Sequence, residues 1–118
     1  MTITSSIYLT GTITGKPLGS EQIAKTITGS VYGVVAVVLQ SGANTITTPT
    51  TSTSGCIIQL PSTNTAVTTL KGVAGDTGIA IGKTTTTMLN WDPTAAPASF
   101  VLNSAATQTG LTTYIEYF

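Results

Sequence analysis

Apolar residues in this chain recur at about every second position, in short runs cut by Gly, Pro, Ser and Asn. Period two is the repeat of a strand with one covered face, so the pattern excludes a helical fold before composition is considered. "SIYLTGTITG" sets Ile7, Leu9 and Ile13 close to that period, and "AKTITGSVYG" sets Ile27 and Val31 against Thr and Ser. "GVVAVVLQ" (33–40) is apolar throughout, which fits a strand buried on both faces. "SGANTITTP", "GCIIQLP", "NTAVTTLKGV", "GIAIG", "TTMLNWD", "ASFVLN" and "LTTYIEYF" continue the series. Short strands at this spacing predict an all-β fold: a single-domain β-sandwich or jelly-roll-like barrel of about eight to ten antiparallel strands. The domain spans residues 1–118, with an N-terminal arm over about residues 1–6 as an option. "GSEQIAKTI" (19–27) is the one helix candidate, and "TTPTTSTSG" (47–55) reads as an exposed hairpin loop.

Threonine supplies 27 of the 118 residues. It is β-branched, and its hydroxyl keeps an exposed strand face wet without charge. Charge is scarce: four lysines, no arginine, no histidine, and the acids Glu21, Asp76, Asp92 and Glu116. Without His there is no histidine base, ligand or nucleophile partner. Without Arg there is no bidentate clamp on phosphate or carboxylate. Four lysines at zero net charge build neither a nucleic-acid stripe nor an anionic-membrane patch. The one cysteine, Cys56, sits in an apolar run and reads as a small buried hydrophobe. The N-terminus lacks a basic region followed by an apolar stretch, so a soluble chain made without a cleaved leader is expected. The longest apolar run, "VYGVVAVVL", falls short of the roughly 20 residues of a membrane helix.

"AGDTGIAIGKTTTT" (74–87) most resembles a chemical site. A phosphate-binding loop reads G-x-x-x-x-G-K-[ST], and Gly82-Lys83-Thr84 supplies its end. Thr77 stands where the first glycine belongs, and four threonines follow where a helix should begin. Turn chemistry explains the stretch better: Gly72, Gly75 and Gly78 can take positive φ, and Asp76 can bond the nearby backbone. Asp76 could also pair with Lys71 or Lys83. A calcium site at Asp76 would lack carboxylate partners.

The segment "ANTITTPTTSTSGCIIQLPSTNTAVTTLKGVAGDTGIAIGKTTTTML" resembles one found in small virion proteins of tailed bacteriophages. The matching positions are Asn44 to Thr47, Pro49, Gly55 to Pro61, Leu70 to Ile79, and Leu89. With "SFVLN" and "TTYIEYF" the resemblance covers roughly residues 40–118. Relatives carry His and Pro after the G-I pair. This chain has "AIGKTTTT", so no ligand role for that loop carries over. The resemblance implies a β-rich structural protein of the virion, assembled in the host cytoplasm, with no catalytic residues.

The expected function is capsid decoration or cementing. The partners are the chain itself, as a trimer or other homo-oligomer, and the major capsid protein or another virion protein. No cofactor, metal, nucleic acid or membrane is expected. A tail, neck or fibre-base component is the first alternative, and a carbohydrate-binding virion module the second. Candidate interface residues are Trp91, Tyr114, Tyr117, Phe118 and Ile3. Trp91 reads as a half-buried core plug, with an interface anchor and a sugar platform as alternatives. The terminal "TYIEYF" is apolar on both faces, which suits a last core strand or an end added to a neighbour's sheet.

Overall fold

The computed structural model describes residues 33–49 and 52–118 in full, and the backbone of strands over 2–8, 11–13, 16–18 and 22–28. The chain divides into two units, Met1–Ser30 and Val31–Phe118. In the first, β1 (Thr2–Tyr8) pairs antiparallel with β4 (Gln22–Thr28), and β2 (Gly11–Ile13) pairs with β3 (Lys16–Leu18). The inner pair is nested within the outer one in sequence. The stretch expected as a helix is therefore largely strand β4: Ile23, Thr26 and Ile27 are β-branched, and cross-strand pairing outweighs a weak helical pattern.

The second unit is a sandwich of two four-stranded antiparallel sheets. Its strands are β5 (Gly33–Val37), β6 (Gly42–Thr47), β7 (Gly55–Gln59), β8 (Thr68–Lys71), β9 (Ile79–Ile81), β10 (Thr86–Asn90), β11 (Ser99–Ser104) and β12 (Thr113–Tyr117). One sheet runs β10-β7-β12-β5 and the other β6-β11-β8-β9. Hairpin-like pairs nest around the β8–β9 turn: β5 with β12, β6 with β11, β7 with β10, β8 with β9. Bridging pairs β12–β7 and β11–β8 close each sheet. One long hairpin rolled up in this way is a jelly roll. Among the described residues the only helix is a 3-10 turn at Pro93–Ala95.

Alternation places one residue in two of each strand in the space between the sheets. Leu39, Ile46, Cys56, Ile58, Leu60, Phe100, Leu102, Ile115 and Tyr117 fill it. Each large aliphatic side chain so buried stabilises the fold by about 1.5–3 kcal/mol before entropy is counted. The segment expected as an exposed hairpin loop (47–55) instead crosses from β6 in one sheet to β7 in the other. Thr48 and Thr53 are buried along the way, and the Thr53 carbonyl and hydroxyl are acceptors for Trp91. β5 differs from expectation too. It lies at a sheet edge with alternating exposure, because nothing in the second unit covers its outer face.

Candidate functional site

The glycine-rich stretch is the tip of the rolled hairpin, where β8 reverses into β9. Asp76 Oδ2 accepts from the Val73 N–H at 2.9 Å, and the Asp76 N–H donates to the Val73 carbonyl at 3.1 Å. The Asp76 carboxylate thus binds backbone three residues earlier, and Lys71 Nζ donates to the Ala74 carbonyl at 3.4 Å. Gly78 has φ +73°, and a Cβ there would lie 2.5 Å from the Leu70 carbonyl oxygen. Glycine is required at that point on both counts. Gly72 and Gly75 lie in the same turn. Gly82, Lys83 and Thr84 lead into strand β10, so no helix N-terminus stands ready for a phosphate. Asn64 Nδ2 donates to the Lys83 carbonyl at 2.7 Å and fixes that turn to the preceding loop.

Beside the tip turn a groove of about 430 Å³ opens at the sandwich edge. Leu70, Leu89 and Phe100 line it with Trp91 and Pro97, and Lys71, Asp76 and Ile79 also border it. Trp91 is half-buried, and its Nε1–H donates to the Thr53 carbonyl at 2.9 Å. Its ring lies 6.4 Å from that of Tyr117, tilted by 51°. The indole therefore fastens the crossover segment to the core and lines the groove as well. Next to it, Asp92 Oδ1 accepts from the Thr94 N–H (2.8 Å) and hydroxyl (2.7 Å), capping the 3-10 turn. Those two hydrogen bonds hold its carboxyl below the usual range.

The other candidate residues separate by face. Tyr114 is on the outer face of its sheet and 48% exposed. Tyr117 and Phe118 are buried in the chain's own sandwich, so neither reaches the surface as an interface residue. The Phe118 backbone pairs with Gly55, which keeps the last residue in the β7 ladder. Ile3 stands opposite Ile27 in the β1–β4 register, and its side chain lies outside the described residues. Cys56 and Tyr117 are register partners on the inner face. Burial pushes the Cys56 thiol up to about 12. Burial, with Cys56 alongside, pushes the Tyr117 phenol to about 12 as well. Among the described residues no three Cys, Asp or Glu side chains cluster as metal ligands would.

Sequence reasoning missed the outer face of the β10-β7-β12-β5 sheet. Its register sets Val34 beside Glu116, Glu116 beside Ile57, and Ile57 beside Met88. A second row runs Ala36, Tyr114, Gln59, Thr86. The signal was present in "GVVAVVLQ", apolar on both faces of a strand that the second unit covers on one face only.

No family model, curated protein or solved structure matches the chain. The fold of the second unit defines its class: an eight-stranded jelly-roll sandwich with an apolar edge groove and one largely apolar outer face.

Proposed function

We propose that this chain is a structural protein of a tailed-bacteriophage particle, a decoration or cement protein that binds the head shell. The observation that carries the reading is the outer face of the β10-β7-β12-β5 sheet. Val34 and Ala36 are exposed there on an edge strand that bears no charge and no proline. Native proteins normally protect such an edge, or cover it with a neighbour. A protein present in many copies on a lattice has neighbours to cover it. The jelly-roll order adds weight, since capsid and lectin domains use it, although a fold alone assigns no function. The resemblance over residues 40–118 points the same way. On this reading the protein performs no catalysis. It stabilises the shell by mass action, because a ligand of the assembled state favours that state.

Mass spectrometry of purified phage particles tests the proposal. Copies in proportion to the major capsid protein support decoration. A number matching a single ring moves the protein to the tail or neck, and absence from purified particles overturns the virion reading. A sugar-binding role would have to use the Trp91 groove. That groove offers few free polar groups, and its indole N–H is already engaged with Thr53.

A further inference from the structure

The core of the sandwich is left open at the β9 edge. In the register, Leu102 stands beside Leu70 and Leu70 beside Ile79, all on the core-facing side of their sheet. Leu102 is fully buried, Leu70 is half-buried and Ile79 is 71% exposed. β9 shows the same change along its length. Ile81 packs against the core, while Ile79, two residues away on the same face, stands out into solvent. The groove beside the tip turn is therefore the uncovered end of the core. Val73, in the turn between the lining residues Gly72 and Asp76, is 63% exposed. Ile79 and Val73 are the most exposed large apolar side chains among the described residues. An apolar hollow thus lies next to two apolar projections.

The rim decides what fits there. It carries one charge of each sign: Asp76, and Lys71, whose Nζ reaches from the other side of β8 to the Ala74 carbonyl at 3.4 Å. No ion pair joins the two or ties either to another of the described residues. A strongly acidic or strongly basic partner would be repelled by one of them. A second copy of the chain brings both signs, together with the same two apolar projections. A patch that holds both projection and hollow is self-complementary about a twofold axis, the commonest symmetry of oligomers.

We propose that two copies of this chain pack groove to groove about a twofold axis. Ile79 and Val73 of each copy enter the groove of the other, against Leu70, Trp91 and Phe100, and Lys71 of each meets Asp76 of the other. The Asp76 carboxylate accepts from the Val73 N–H at 2.9 Å and keeps lone pairs for a lysine. Area limits the strength of the contact. Groove and turn together offer fewer than the roughly 20 residues a side of a standard interface. The dimer is therefore weak, with a dissociation constant on the order of micromolar, and forms where copies are concentrated. Every residue in the contact belongs to the second unit, and the contact does not depend on the virion reading.

Trp91 is the chain's single tryptophan and lines the groove, so its emission reports on this contact. The test follows light-scattering mass and Trp91 emission of the full-length chain through a dilution series from millimolar to sub-micromolar. The two are expected to change together, with emission at shorter wavelength in the dimer as the indole loses water. Ile79→Thr keeps a β-branched residue at an exposed place and should move the transition to about tenfold higher concentration. Val73→Ser should act in the same direction. Lys71→Glu sets like charges face to face and should weaken association by at least about tenfold. Added salt should then weaken the wild-type dimer and strengthen that of Lys71→Glu. The two apolar variants carry the test if Lys71→Glu disturbs the turn, because their melting temperatures at high dilution should stay near wild type. A wild type that is monomeric throughout overturns the proposal. So does an oligomer with constant Trp91 emission, which must use another face, or a dimer whose transition ignores Ile79→Thr and Val73→Ser. A dimer indifferent to a folded Lys71→Glu variant overturns the charge pairing, and the twofold arrangement with it.

Discussion

The two sheets of the sandwich are alike inside and opposite outside. Inside, Leu102 on β11 and Ile115 on β12 hold equivalent places, each buried on a strand paired on both sides. Outside, the β6-β11-β8-β9 sheet presents Ala43, Thr45, Thr47, Thr69, Lys71, Ser99 and Asn103, with Val101 buried between Thr45 and Lys71 in the register. The β10-β7-β12-β5 sheet presents Val34, Ala36, Ile57, Met88 and Tyr114 around one carboxylate. Threonine lets a strand face water without charge. The first sheet carries it at Thr45, Thr47 and Thr69, the second only at Thr86, beside Gln59. On the function proposed above, the apolar face is the one a neighbour would cover.

The equivalence of the inner faces carries the largest expected effect. Leu102→Ala and Ile115→Ala should each lower the unfolding free energy by about 2–5 kcal/mol, read by urea denaturation. A large gap between them would show that one sheet contributes more of the core than the other. Gly78→Ala follows, confined to the polar sheet. The left-handed backbone costs about 1–2 kcal/mol for a residue with a Cβ. Overlap with the Leu70 carbonyl adds to that. The melting temperature should fall clearly, while Gly75→Ala, where a Cβ meets nothing within 4 Å, should change little.

Much of this was legible in the sequence. Period-two alternation and β-branched residues gave the all-β sandwich, since a residue's neighbours in a strand decide its face. The glycine-rich stretch was recognisable as a turn because its spacing and its threonine flank fit no phosphate loop. The roll itself was not legible. Nested pairing of β5 with β12 joins residues some 80 positions apart, and no local pattern encodes that register. The same gap bears on the last strand. Strict alternation would set Phe118 on one face with Tyr114 and Glu116, yet Phe118 follows the end of β12 and is buried in the core. The run in β5 suggests cover on both faces, and the second unit supplies only one.

Alkaline pH should separate the sheets by a different route. Among the described residues, the buried titrating groups Cys56 and Tyr117 both lie on the inner face of the β10-β7-β12-β5 sheet. The folded state holds the thiol proton up to about 12, against 9.0 for an ordinary thiol. A group whose folded pKa is raised contributes its full stability below the unfolded pKa and loses it as pH rises toward the folded one. Stability should therefore be level near neutrality and fall as pH climbs above 9.0 toward about 12. Urea midpoints between about pH 8 and pH 11 read that slope, and Cys56→Ala should flatten it while lowering the plateau. An unchanged slope in Cys56→Ala would leave Tyr117 as its source.

The smallest expected effects lie on the outer faces, and they test the contrast most directly. Val34→Thr would give the apolar face the chemistry of the polar one, and Thr45→Val would do the reverse. Both positions are exposed, so each change should move single-chain stability by no more than about 0.5 kcal/mol at high dilution. Their effects on association should differ. Val34→Thr removes apolar contact where a second layer is expected and should shift light-scattering mass toward the monomer. Thr45→Val touches the threonine-bearing face, outside the expected contact, and should leave the mass as it was. Equal effects from the two would mean that the outer faces are equivalent in solution, and that their compositions differ for a reason unconnected with contact.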